Sequence, residues 1–151
     1  MVTTDYRLEP HTSIPYHTGV AIPVFSLRSA QSFGVGDFSD LKSFADFAAK
    51  SGMDLIQILP INDTTTFMDW RDSYPYRAIS VFALHPIYFD MAAVRDVLTA
   101  AEKVDFDAQQ KTLNALDAID YEAVLAAKWH YIKIGYEKMS DIICSDEYTD
   151  L

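Results

Sequence analysis

Two short runs of almost unbroken apolar residues stand early in the chain, Gly19–Phe25 (GVAIPVF) and Met53–Pro60 (MDLIQILP). Such runs suit strands buried on both faces, as in a parallel sheet covered by helices. Pro23 cannot donate to a ladder, so it marks an irregularity or the end of pairing. Between the runs, Phe38, Leu41, Phe44, Ala45 and Ala48 recur at helical spacing and predict a helix ending at Lys50. Asp37 or Ser39 can supply its N-cap, and Gly52 falls where a left-handed C-terminal cap belongs. Strand, helix and strand together make one βαβ unit, for which a right-handed crossover is expected.

The pattern then lapses from Ile61 to Arg77. Loops of this length are uncommon in compact domains and are often functional. Apolar, partly extended sequence returns in AISVFALHPIYFDM, and from Met91 onward the spacing is helical. Ala92–Ala101 is one expected helix and Ala108–Leu116 a less regular one. Tyr121–Ile143 is long and amphipathic, with Val124, Leu125, Tyr131, Ile132 and Met139 near one side. Residues 1–18, with Pro10, Pro15, His11 and His17, read as a lead-in or linker. The division expected is therefore 1–18, 19–90 and a helical extension 91–151.

Composition narrows the partners. Half the 151 residues are hydrophobic, enough for a core, and the formal net charge is −10. That charge repels nucleic-acid phosphates and anionic membranes but sets no barrier to neutral ligands such as sugars. No run approaches a membrane span, and the N-terminus lacks a signal pattern. A single cysteine, Cys144, leaves no internal disulfide framework. A cytoplasmic location is expected.

The loop carries Asp63, Asp69, Trp70, Asp72, Tyr74 and Tyr76. Following a strand of a parallel α/β unit, it leaves at the end where ligands bind. Aromatic faces beside carboxylates and hydroxyls match a sugar, whose ring faces are rich in C–H and whose rim is hydroxylated. The plainer alternative is a surface loop with its aromatics folded back on the body. Taken singly, the three aspartates suit solvated or capping roles better than catalysis. Gly34-x-Gly36 does not make a nucleotide fingerprint, because Ser39 holds the third glycine position and the second strand ends Ile58-Leu59-Pro60 without an acid. These glycines suit a tight turn before the helix. His11, His17, His85 and His130 show no metal spacing, and no cofactor is expected. Tyr121, Trp129, Tyr131 and Tyr136 read as packing residues.

Taken together, Ser26-Leu27, Gly34-x-Gly36-Asp37, Gln57-x-Leu59-Pro60 and Ser73-x-Pro75-Tyr76-x-x-x-Ser80-x-Phe82-Ala83 resemble the start of the catalytic domain of 4-α-glucanotransferases, the amylomaltase or disproportionating-enzyme family. The likeness spans Gly19–Asp90. It implies an α/β fold, the N-terminal portion of a (β/α)8 TIM barrel with about two βα units. It also implies an enzyme that moves α-1,4-glucan segments between maltooligosaccharides by a retaining mechanism, with an Asp nucleophile and a Glu acid/base. By position, Tyr76 matches the family tyrosine that packs on the glucose ring beside the scissile bond. Trp70, Asp72 and Ser73 are implied to line the same cleft, and Arg28 and Asp37 to brace it.

The sequence departs from many relatives at Leu84-His85, where they carry Gly-Asn before the proline, and at the extra residue Tyr74. The Ala-Leu-His-Pro version is similar to a branch with upstream starch-binding modules, whose linker would end in residues 1–18. None of Asp63, Asp69 and Asp72 matches the catalytic set. That set is expected on strands beyond Leu151, so this stretch alone is expected to be inactive, loosely packed or self-associating. The competing readings are a non-catalytic carbohydrate-binding module and a fragment of an α-amylase-type hydrolase.

Overall fold

The first two strands pair in parallel. β1 (Gly19–Ile22) and β2 (Leu55–Ile58) run in register from Gly19 opposite Leu55 to Ile22 opposite Ile58, joined through α1 (Phe38–Lys50). This is a computed structural model, and it describes residues 16–143. The expected lead-in through Pro15, with His11, and Cys144 lie outside the described residues. Asp54 fastens the strand starts together: Thr18 N–H donates to Oδ1 at 2.9 Å and His17 Nδ1 lies 2.7 Å from Oδ2. β1 ends before Pro23, as its missing N–H requires, and the chain turns into a 3-10 turn at Val24–Ser26.

α1 is bounded by the caps its sequence announces. Asp37 accepts from Ser39 N–H and Asp40 N–H, and Asp40 reaches back to the Asp37 N–H, a capping box. At the other end Gly52 takes φ +78°, letting Met53 N–H reach Ala48 O at 2.9 Å and Gly52 N–H reach Ala49 O at 3.1 Å. That is a Schellman closure, and the left-handed residue it needs is a glycine. The two glycines before α1 serve different ends. Gly34 takes a positive φ in the turn, whereas Gly36 permits close approach: a Cβ there would stand 2.2 Å from Val24 O.

One expectation is overturned at the sheet. The strands were expected to be buried on both faces, yet each alternates exposed and half-buried residues, and Leu55 remains 56% exposed. A two-stranded sheet has a free edge on each side. The helices that fill the core stand against other parts of the chain. That core gathers Val24, Phe33 and Val35 from the segment after β1, Ile87, Tyr88 and Met91 from the segment before the helices, and the inner faces of α2 (Ala92–Val97), α3 (Ala100–Asn114) and α4 (Tyr121–Ile143). Phe106 sits at its centre, with ring centroids 4.8 Å from Phe33 and 4.9 Å from Tyr131.

The helix expected over Ala92–Ala101 breaks at Leu98, and the one expected from Ala108 begins eight residues earlier, at Ala100. The reason is a second capping box: Thr99 accepts from Glu102 N–H while Glu102 accepts from Thr99 N–H. Glu102 also pairs with Lys138 of α4. At the far end of α3, Arg28 donates to Leu116 O at 3.0 Å and Asn114 O at 2.8 Å, satisfying carbonyls a helix leaves open.

Lys128 of α4 lies wholly inside. Its Nζ donates to Ile87 O at 2.6 Å and Phe89 O at 2.9 Å, pinning the chain before α2 to α4. Burial pulls the ammonium down from 10.5 to about 8, opposed by the carboxylates of Asp37, Asp40 and Asp90. Between those two values the unfolded chain binds more protons than the folded one, so this group makes stability rise with pH across that window. Urea midpoints measured from about pH 7.5 to about pH 9.5 are expected to carry that rise in the parent chain and to lack it in Lys128→Met. At neutral pH the same variant is expected to lose about 1–3 kcal/mol, because two buried carbonyls lose their donor.

Candidate functional site

The segment after β2 is a loop closed at its base. Asp63 N–H donates to Ala83 O at 2.8 Å and His85 N–H to Ile61 O at 2.9 Å, around an antiparallel bridge of Asn62 with Leu84. Asn62 Nδ2 adds a bond to Val81 O at 3.0 Å. The apolar stretch expected to extend from Ala78 is therefore the returning limb, and it leaves Val81 and Phe82 79% and 91% exposed.

Inside the loop Asp72 is the organising group. It is 2% exposed, and its Oδ2 accepts from three successive backbone donors, Thr66, Phe67 and Met68, at 2.9, 2.8 and 2.7 Å. Consecutive N–H groups converging on one oxygen form an anion nest. The curvature needed takes Met68 to φ 61°, a left-handed conformation unusual for a residue with a long side chain. Burial would raise the Asp72 carboxyl, but the three donors prevail and hold it below its ordinary value. The neighbouring acids are caps. Asp63 accepts from Thr65 N–H, and Asp69 accepts from Arg71 N–H at the start of a 3-10 turn, Trp70–Ser73.

A cavity of about 430 Å³ opens between this loop, the end of β2 and the start of α4. Phe25, Ile87, Ile119 and the Trp70 ring provide apolar wall. Asn62, Thr64, Asp120 and Glu122 provide a polar rim. His85, buried, lies across it: Nδ1 accepts from Ile87 N–H at 3.1 Å and Nε2 stands 2.8 Å from the Tyr121 hydroxyl. With Nδ1 accepting, the ring proton belongs on Nε2 and is donated to Tyr121. Burial lowers the imidazole against the pull of Asp63 and Asp72, and burial with the Asp72 charge raises the Tyr121 phenol. Both stay neutral near neutral pH, so the cavity offers hydroxyl, amide and imidazole groups beside flat apolar faces. Such a surface suits a neutral, hydroxylated ligand.

Of the residues singled out in the sequence, Trp70, Asp72 and Ser73 come together at this cavity. Trp70 stays 69% exposed, with its backbone N–H donating to Glu122 Oε1 at 3.2 Å. Tyr76 is not among the lining residues. It lies on the same loop, 61% exposed, with its ring 5.5 Å from that of Tyr74. Asp37 is held in its helix cap, and Arg28 serves the end of α3. Sequence reasoning missed His85, Thr64 and the Asp120-Tyr121-Glu122 corner. Tyr121 opens the long helix between two acids, a polar signal that a reading for packing alone passes over.

The model of the 4-alpha-glucanotransferase family matches residues 22–149. The rice protein "4-alpha-glucanotransferase DPE2" is 49% identical over 110 residues, which cover 73% of this chain and 12% of that protein. A "4-alpha-glucanotransferase" of Chlamydia caviae is 36% identical over 124 residues, 82% of this chain and 22% of the relative. One of Haemophilus influenzae is 32% identical over 117 residues, 73% of this chain and 16% of the relative. The chain thus spans less than a quarter of the length of each of these relatives.

Replacing Asp72 tests the loop directly. Asp72→Ala is expected to cost about 2–4 kcal/mol, since three backbone donors lose a charged acceptor. Urea unfolding followed by circular dichroism measures it. Asp72→Asn, which keeps one acceptor oxygen without the charge, is expected to cost less.

Proposed function

The chain belongs to the 4-alpha-glucanotransferase family, and from that footing we propose that its loop and cavity form part of the glucan-binding surface of an enzyme that transfers α-1,4-glucan segments between maltooligosaccharides. One observation carries the reading. A cavity with an aromatic face, Trp70, and a hydroxyl- and amide-bearing rim lies where β2 gives way to its loop. Aromatic rings receive the C–H faces of pyranoses, and neutral polar groups receive the hydroxyls. Tyr76, exposed on the same loop, packs on a second glucose face outside this cavity. β1, α1 and β2 are the opening units of a TIM-type barrel, whose ligand end is the carboxyl end of its strands.

The transfer follows the retaining route, in which two carboxyl groups about 5–5.5 Å apart flank the scissile bond and a sugar hydroxyl accepts the glycosyl unit. Those acids belong to the part of the relatives' length that this chain does not span. Asp72 does not serve, because its Oδ2 is filled by backbone donors. The upstream starch-binding modules and the cytoplasmic setting belong to the same proposal. Among the described residues, the helical core and the single parallel strand pair disfavour a separate carbohydrate-binding module, a class usually built as a β-sandwich.

Maltotriose titrated into the 151-residue chain is expected to quench Trp70 fluorescence with millimolar affinity, roughly −4 kcal/mol, and to undergo no turnover. Trp70→Phe supplies the assignment, since Trp129 also emits. Tyr76→Ala in the full-length protein is expected to lower kcat/KM about 10- to 100-fold. Unchanged kinetics in that variant and no response to maltotriose would together remove the reading.

A further inference from the structure

His85 has no free ring nitrogen, and this makes it more than a packed histidine. Its Nδ1 accepts from Ile87 N–H, starting the 3-10 turn Pro86–Tyr88, and its Nε2–H donates to Tyr121 on α4. The ring therefore joins the returning limb of the loop to the helix. Tyr121 and Thr64 both line the cavity, and the Thr64 hydroxyl donates to the Asp72 carbonyl. The Asp72 carboxylate in turn holds Thr66, Phe67 and Met68.

We propose that His85 is a positioning residue: through Tyr121 and the Ile87 backbone it seats the loop bearing Trp70, Asp72 and Ser73 on the start of α4, and this seat releases when the imidazole is protonated. The argument is one of hydrogen-bond parity. An imidazolium has two donors and no acceptor, so a proton on Nδ1 faces the Ile87 N–H donor to donor. The ring is 4% exposed and Nδ1 stands 3.1 Å from the Ile87 nitrogen, so the closed geometry leaves no room for a water between the two donors. The charged and titratable groups facing the ring are Asp63 and Asp72 from the loop, Lys128 and Tyr121 from α4, and Tyr88 from the adjoining turn at 5.9 Å between ring centroids. The two carboxylates favour the added proton, while burial and Lys128 oppose it. Protonation therefore accompanies opening. Below the ordinary imidazole value the open population grows about tenfold per pH unit, until the closed form itself takes up the proton.

NMR of the ¹⁵N-labelled chain tests this without any sugar, so a failure of glucan binding would sink the functional reading and leave this inference standing. At neutral pH the His85 ring is expected to show its proton on Nε2. On acidification the amide signals of Ile87 and of Thr66, Phe67 and Met68 are expected to follow one curve with the ring, and their exchange, corrected for intrinsic chemistry, to speed by that factor. His85→Asn keeps an acceptor for Ile87 but does not titrate, so the step is expected to vanish while the neutral-pH circular dichroism is retained. Tyr121→Phe cuts the link to α4 while leaving the ring titratable, and there the loop amides are expected to stop following the ring. A proton on Nδ1 at neutral pH would overturn the proposal. So would loop amides unmoved while the ring titrates, a step surviving in His85→Asn, or loop amides still following the ring in Tyr121→Phe.

Discussion

The ammonium of Lys128, buried on two backbone carbonyls, is the constraint the site depends on. A charge in an apolar core is costly unless it is hydrogen-bonded. Here the acceptors are Ile87 O and Phe89 O, left open where the chain bends between the returning loop and α2. The bond fixes that bend against α4. With the bend fixed, His85 stands within reach of Tyr121, about two turns earlier on the same helix. The floor of the cavity and the clamp on its loop thus follow from a single side chain.

The backbone architecture was largely legible in the sequence because local chemistry announces it. Asp37, Gly52 and Pro23 each act within a few residues of their own position, so their types alone reveal a cap, a left-handed closure and a strand end. The Thr99–Glu102 box carried the same kind of signal, but the alanines around it prolonged the helical pattern and concealed the break. The family resemblance, resting on combined short motifs, agrees with the family match over residues 22–149.

The site was less legible, since its bonds join residues far apart in the chain. His85 and Tyr121 are 36 residues apart, and Lys128 and Ile87 are 41 apart. No spacing rule links such pairs. Yet Lys128 did leave a mark. Val124, Leu125, Lys128, Tyr131 and Ile132 fall on one helical face, and a lysine within an apolar stripe implies either an exposed seam or a buried partner. The acids of the loop were legible as caps, whereas the nest around Asp72 needed coordinates, because a run of N–H groups has no sequence signature.

The placement of the core gives the molecule an uneven resistance to opening. Phe33, Phe106 and Tyr131 interlock among α3, α4 and the segment after β1, while β1 and β2 carry half-exposed side chains on a ladder four residues long. Free energies of local opening scale with the apolar contacts that must be broken. Thermal fluctuation therefore peels the strand pair while the helical half stays shut, and the peptide groups of Gly19–Ile22 meet solvent far more often than those of α4. The strand pair is thereby kept pliable, while the part that grips the loop stays firm.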